Sequence, residues 1–174
     1  MHERNLVRAS VAMMLLFATG LLLLGCGDGD AETSGPESGP RTVGDTLETE
    51  AGKLTIHSYE APVQTDVGTI DPDNVFAVID VEGCVNQRRS GIVTLYISAF
   101  TLEMADGSER RPTLAARVPA LSDTPVQAGN CIRGFLTFEI PPDERPSFVV
   151  YRTIPEAPAN EQFSGEAVRR WAIE

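Results

Sequence analysis

The chain has 174 residues, 42% hydrophobic and 22% charged, with 14 Lys and Arg against 25 Asp and Glu and a formal net charge of −11. That balance excludes nucleic acid as a partner, because phosphates require a basic footprint, and it gives no electrostatic hold on anionic lipid. Three cysteines, two histidines and a single lysine, Lys53, narrow the available chemistry further.

In chain order, Arg4 and Arg8 precede an apolar run from Ala9 to Leu24, broken only by Ser10, Thr19 and Gly20. The run is short for a spanning helix of roughly 20 apolar residues. It suits the hydrophobic region of a secretory signal peptide. It ends Leu23-Leu24-Gly25-Cys26, which resembles the bacterial lipobox. That resemblance implies diacylglyceryl transfer to the Cys26 thiol and cleavage before it, so residues 1–25 are read as a lipoprotein signal peptide. Gly27 to Asp30 then carry the chain out of the apolar layer. Two acyl chains suffice for stable anchoring, each buried CH₂ contributing about 0.8 kcal/mol. Removing Met1–Gly25 takes away Glu3, Arg4 and Arg8 and leaves a net charge of −12.

Residues 26–41 follow as a lipidated cysteine and a flexible acidic linker. The stretch GDGDAETSGPESGPR has only Ala31 apolar and cannot offset chain entropy by burial. Its mean reach is on the order of 20 Å.

Residues 42–174 are read as one domain. KLTIHSYEAPV places Leu54 and Ile56 on one parity and Thr55, His57 and Tyr59 on the other. A β-branched run extends from Val75 to Val85. GIVTLYISAFTLEMADGSERRP alternates and then reaches Asp106-Gly107, a hairpin signal. NCIRGFLTFEIPP aligns Ile132, Leu136, Phe138 and Ile140 on one face, and RPSFVVYRTI is a further strand. EAVRRWAIE reads as a strand, with a short helix from Glu166 as the alternative. Frequent turns with hardly any helical period predict an all-β antiparallel sandwich. Its core candidates are Trp171, Phe76, Phe100, Phe135, Phe138 and Phe148.

Cys84 and Cys131 form an even pair in an exported chain, which predicts a disulfide. The 47-residue separation makes it worth roughly 4 kcal/mol on the loop-entropy model. Parity puts Cys84 with Asp80 and Glu82, and Cys131 with Arg133, Thr137 and Glu139. The bridge should therefore be peripheral, on the wetter face near strand ends. Neither cysteine has a His or Cys close in sequence, so no metal site and no cofactor is expected.

The segments FAVIDVEGCVN, ISAFTLEMADGSERRPTL, VQAGNCIRGFLTFEIPP and FVVY resemble an immunoglobulin-like domain widespread in exported bacterial lipoproteins, with Gly129, Gly134, Phe138 and Pro141 as its spaced block. Some relatives carry a telomeric-repeat-binding label, and the fold is similar to that of small secreted immunogenic proteins of mycobacteria. The resemblance spans roughly Val43 to Tyr151. It implies an immunoglobulin-like, extracytoplasmic sandwich and transfers no catalytic residue.

No enzyme is expected. His57 is the one histidine beyond the signal peptide, and no Gly-x-Ser-x-Gly elbow accompanies it. Asp71 to Asn74 looks like the start of a calcium loop, but Pro72 and Phe76 break an EF-hand; a tight turn is the preferred reading. NQRRSG and ERRP supply a candidate binding rim of Arg88, Arg89, Arg110, Arg111 and Arg133, since arginine forks carboxylates. That rim requires both loops at one end of the sandwich. The sequence thus describes a non-catalytic module lipid-anchored to the cell envelope, outside the cytoplasm, binding an envelope protein or small ligand. The alternatives are a structural spacer and, behind it, an envelope hydrolase using scattered acids.

Overall fold

The structure is a computed structural model that describes residues 39–66, 68–113, 116–153 and 168–174. The expected signal peptide, Cys26 and nearly all of the linker lie outside the described residues. Among the described residues there are eleven strands: β1 (Arg41–Thr42), β2 (Thr46–Glu48), β3 (Gly52–Val63), β4 (Val75–Val85), β5 (Ile92–Leu95), β6 (Phe100–Met104), β7 (Glu109–Arg110), β8 (Thr124–Gln127), β9 (Cys131–Ile140), β10 (Pro146–Arg152) and β11 (Val168–Ala172). One 3-10 turn, Ile97–Ala99, separates β5 from β6.

The strands form two main sheets, ordered β2-β3-β4-β9 and β1-β11-β10-β6-β7, with a small β5-β8 pair. Paired strands are antiparallel except β1, which runs parallel to β11. Between the sheets lies one apolar core. Leu54, Ile56, Ile79 and Phe138 contribute from the first sheet, and Phe100, Leu102, Val149 and Trp171 from the second. Fully burying such a side chain stabilises by roughly 1.5–3 kcal/mol. This is the antiparallel β-sandwich expected from the turn spacing, with the immunoglobulin-like fold that the family resemblance implies. The last segment is a strand, not a helix: β11 pairs along β10, and the Trp171 indole donates to the Asp45 carbonyl at 3.0 Å.

Two core expectations need correction. Phe135 and Phe148 are only half-buried, because both point away from the central core. Phe135 joins Val63, Phe76, Val78 and Ala116 in a second apolar cluster on the outer side of the first sheet. This cluster explains why β4 is buried on both faces from Phe76 to Val81 rather than alternating. The cover is the segment after β7. Thr113 N–H donates to the Thr137 carbonyl, Ala116 N–H to Thr137 Oγ1, and Leu121 N–H to the Phe135 carbonyl. Arg117 then crosses to Glu60 at 2.6 Å and lies over the Phe135 ring at 5.4 Å. This strap also pairs the free edge of β9, which would otherwise expose unpaired backbone groups.

The β3 register shifts twice against β4, between Ile56 and Ser58 and between Glu60 and Val63. The first shift makes His57 the extra residue of a bulge. Beyond it the faces exchange, so Tyr59 pairs with Ile79 and packs on the main core. Strict alternation had placed Tyr59 outward with Thr55 and His57. A bulge overturns that parity because one inserted residue rotates everything after it. The Asp106-Gly107 hairpin is present, with Gly107 at φ 83° and its N–H donating to the Met104 carbonyl.

Candidate functional site

The two ends of the sandwich carry different chemistry. At one end β4 finishes, β9 begins, and Cys84 sits directly opposite Cys131. The two are joined by a disulfide. Cys131 is exposed and Cys84 half-buried, so the bridge is peripheral, near strand ends, as its parity predicts.

The outer face beside the bridge is a built polar array. Arg133 forks Asp80, with Nε 3.0 Å from Oδ1 and the terminal nitrogen 2.7 Å from Oδ2. Asp80 is 8% exposed, so this pairing keeps a buried carboxylate satisfied. Glu82 reaches two ways: Oε2 lies 2.7 Å from His57 Nε2, and Oε1 lies 3.9 Å from Cys84 Sγ. The His57 bulge is what turns the imidazole onto this face. Lys53, opposite Cys84 in register, is ion-paired to Glu48. A cleft of about 330 Å³ opens next to the bridge, bordered by Thr49, Lys53, Cys84 and Gln87.

The proposed arginine rim is not one surface. Arg88 and Arg89 lie in the loop after β4, at the disulfide end, where Asn86 Oδ1 accepts from the Arg88 N–H. Arg110 and Arg111 lie at the return of the β6-β7 hairpin. Met104, which opens that hairpin, pairs with Pro146 just past the turn that follows Ile140. That is the opposite end. Arg133 stands on the outer face, committed to Asp80. Loop position along two antiparallel strands cannot be read from loop composition, and that is why the grouping failed. Asp71 to Asn74 is a tight turn: the Asp73 N–H donates to Asp71 Oδ1 and the Asn74 N–H to the Asp71 carbonyl.

The far end holds a feature that the sequence did not single out, a cleft of about 350 Å³. Ala61, Pro62, Val75, Ile140 and Pro142 form apolar walls, and Tyr59, Glu60, Glu144, Arg145 and Glu174 supply polar groups. The Tyr59 hydroxyl is buried with no hydrogen-bond partner among the described residues. Burial pushes this phenol up to about 12, against the opposing pull of the Arg145 charge. The phenol is therefore neutral across the physiological range, with the guanidinium close enough to be felt. Only the bulge brings Tyr59 here, so no local sequence signal could have marked it. The volume is that of a small-molecule site, while the lining is mixed, with three carboxylates, Glu60, Glu144 and Glu174, and one guanidinium, Arg145.

Residues 41–162 match the family described as a domain of unknown function, DUF4352. The chain belongs to that family. Among solved structures, the YjhA protein of Bacillus subtilis superposes with a TM-score of 0.61 at 17% identity, covering 77% of this chain and 99% of that one. MPT63, a secreted protein of Mycobacterium tuberculosis, gives 0.56 at 18% identity, over 78% and 99%. YcdA of Bacillus subtilis, a candidate lipoprotein, gives 0.53 at 11% identity, over 73% and 38%. These likenesses are of fold. No curated protein matches the sequence. Among the described residues, no helix is long and apolar enough to cross a membrane.

Proposed function

We propose that this DUF4352 protein is a non-catalytic binding module held at the outer side of a membrane by a diacylglyceryl group on Cys26, and that it takes its ligand in the far-end cleft. The observation that carries this reading is the meeting in one cavity of apolar walls, from Ala61, Val75 and Ile140, with the carboxylates of Glu60, Glu144 and Glu174 and one guanidinium, Arg145. The excess of negative charge suits a small amphiphile whose polar end is cationic. The secreted and lipoprotein neighbours support an extracytoplasmic address.

Octylammonium serves as a probe, with octanol as its uncharged counterpart. Octylammonium should raise the melting temperature of the detergent-solubilised protein more than octanol does. Glu144→Gln should reduce the difference, and Val75→Gln should weaken binding of both. Equal shifts in the wild type and both variants would refute the site. A structural spacer is the second reading. It is favoured by the separation of the exposed large apolar residues Ile70, Ile92 and Val118, which lie on three different segments.

A further inference from the structure

We propose that reduction of the Cys84–Cys131 bridge opens a metal site of the zinc type, built from both sulfurs and the Glu82 carboxylate, with His57 as its positioning residue. The donor atoms of Glu82, Cys84 and Cys131 lie within 4.8 Å of one another. A tetrahedral zinc with bonds of about 2.0–2.3 Å spaces its donors by roughly 3.3–3.8 Å, so the three need only small adjustments once the sulfurs part. They stand on two directly paired strands, which fixes their spacing.

Glu82 uses its two oxygens differently. Oε1 faces Cys84, while Oε2 is held by His57 at 2.7 Å. That is the way outer partners commonly orient a ligating carboxylate. The neighbouring cations do not compete for it. Arg133, opposite Glu82 in register, is forked onto Asp80, and Lys53, opposite Cys84, is on Glu48. Both still offset the negative charge of two thiolates and a carboxylate. Two thiolates favour zinc-type ions over calcium or magnesium. Three protein donors leave a fourth position for water. Glu82 and Cys84 share a face of one strand, but His57 and Cys131 join them only through sheet pairing, which sequence spacing does not show.

The bridge is reachable from solvent, with Cys131 exposed and Cys84 lining the adjacent cleft. An external dithiol supplies the two electrons and two protons that convert the sulfur–sulfur bond to two thiols, and is itself oxidised to a disulfide. Metal entry forms two metal–sulfur bonds and releases the two thiol protons to solvent.

The test uses the full chain in detergent, reduced with a phosphine, which brings no competing thiol, and titrated with Co²⁺. The reduced protein should bind one ion with a thiolate-to-cobalt absorption band that Zn²⁺ abolishes. The oxidised protein and the Cys84→Ser/Cys131→Ser variant should show no band. Glu82→Gln should weaken affinity by more than tenfold, and His57→Gln by about tenfold or more, the scale of an outer-partner loss. Absence of the band in reduced protein that keeps its circular dichroism overturns the proposal. So does undiminished binding by Glu82→Gln, which would place the ion on the thiols alone, as in an unfolded chain.

Discussion

Tyr59 shows how much one inserted residue decides. The bulge at His57 rotates the phenol from the outer face onto the core side, where its hydroxyl is buried and finds no partner among the described residues. The energetic consequence has a definite sign. The phenol titrates near 10 when unfolded and at about 12 in the fold, because burial disfavours the phenolate. Its contribution to stability is fully present below pH 10 and is lost as pH rises toward about 12. The ring is only about half-buried, so the loss should be modest, on the order of 1 kcal/mol after solvent screening. Urea midpoints measured on either side of pH 10 should show this decline, and Tyr59→Phe should abolish it. An absorbance titration should also show one phenol ionising late. At this scale the sequence was legible where alternation is unbroken, as at Leu54 and Ile56. It misled where the bulge intervened, since nothing local in HSYE distinguishes an extra residue from a paired one.

Among elements, the strap after β7, described at residues 112–113 and 116–121, is the part least foreseen. Its residues follow no period of two, so no strand pattern marks it. Its role exists only because β9 has a free edge and the outer face of β4 is apolar. The hydrophobic run from Val75 to Val85 marked a strand, but its parity set Asp80, Glu82 and Cys84 on a wetter face, and the cover over Phe76 and Val78 on that same face was not foreseen. Contact between strap and strand is close at Gly134, where a Cβ would sit 2.9 Å from the Pro119 carbonyl oxygen and 3.2 Å from the Leu121 backbone nitrogen. Gly134→Ala must therefore push the strap off the β9 edge, breaking the Phe135–Pro119 and Leu121–Phe135 hydrogen bonds. The expected cost is about 1–3 kcal/mol, the usual scale for overpacking. Native-state trypsin digestion should then cut after Arg117 well before the sandwich unfolds, whereas the wild type, with Arg117 pinned to Glu60, should resist. Equal cleavage rates would mean the strap contributes no cover.

For the molecule as a whole, turn spacing and β-branched runs were enough to give two antiparallel layers, because both are local properties. Strand order, and with it the end at which each loop lies, depends on long-range pairing and was not readable; the scattered arginines follow from that. The membrane attachment proposed above belongs to this scale too. The charge of −12 that the expected cleavage would leave repels anionic headgroups. Ile70, Ile92 and Val118, the exposed large apolar residues among those described, are dispersed and form no insertion surface. On the proposed reading, acyl chains on Cys26 supply the hold, at about 0.8 kcal/mol per buried CH₂. Cys26→Ala should consequently lose metabolic fatty-acid labelling and leave the membrane fraction completely, not partially. On the same reading the released variant should keep its disulfide and its melting temperature. If Cys26→Ala stayed with membranes, some surface of the sandwich would have to be binding them, and the division of labour between lipid and domain would fail.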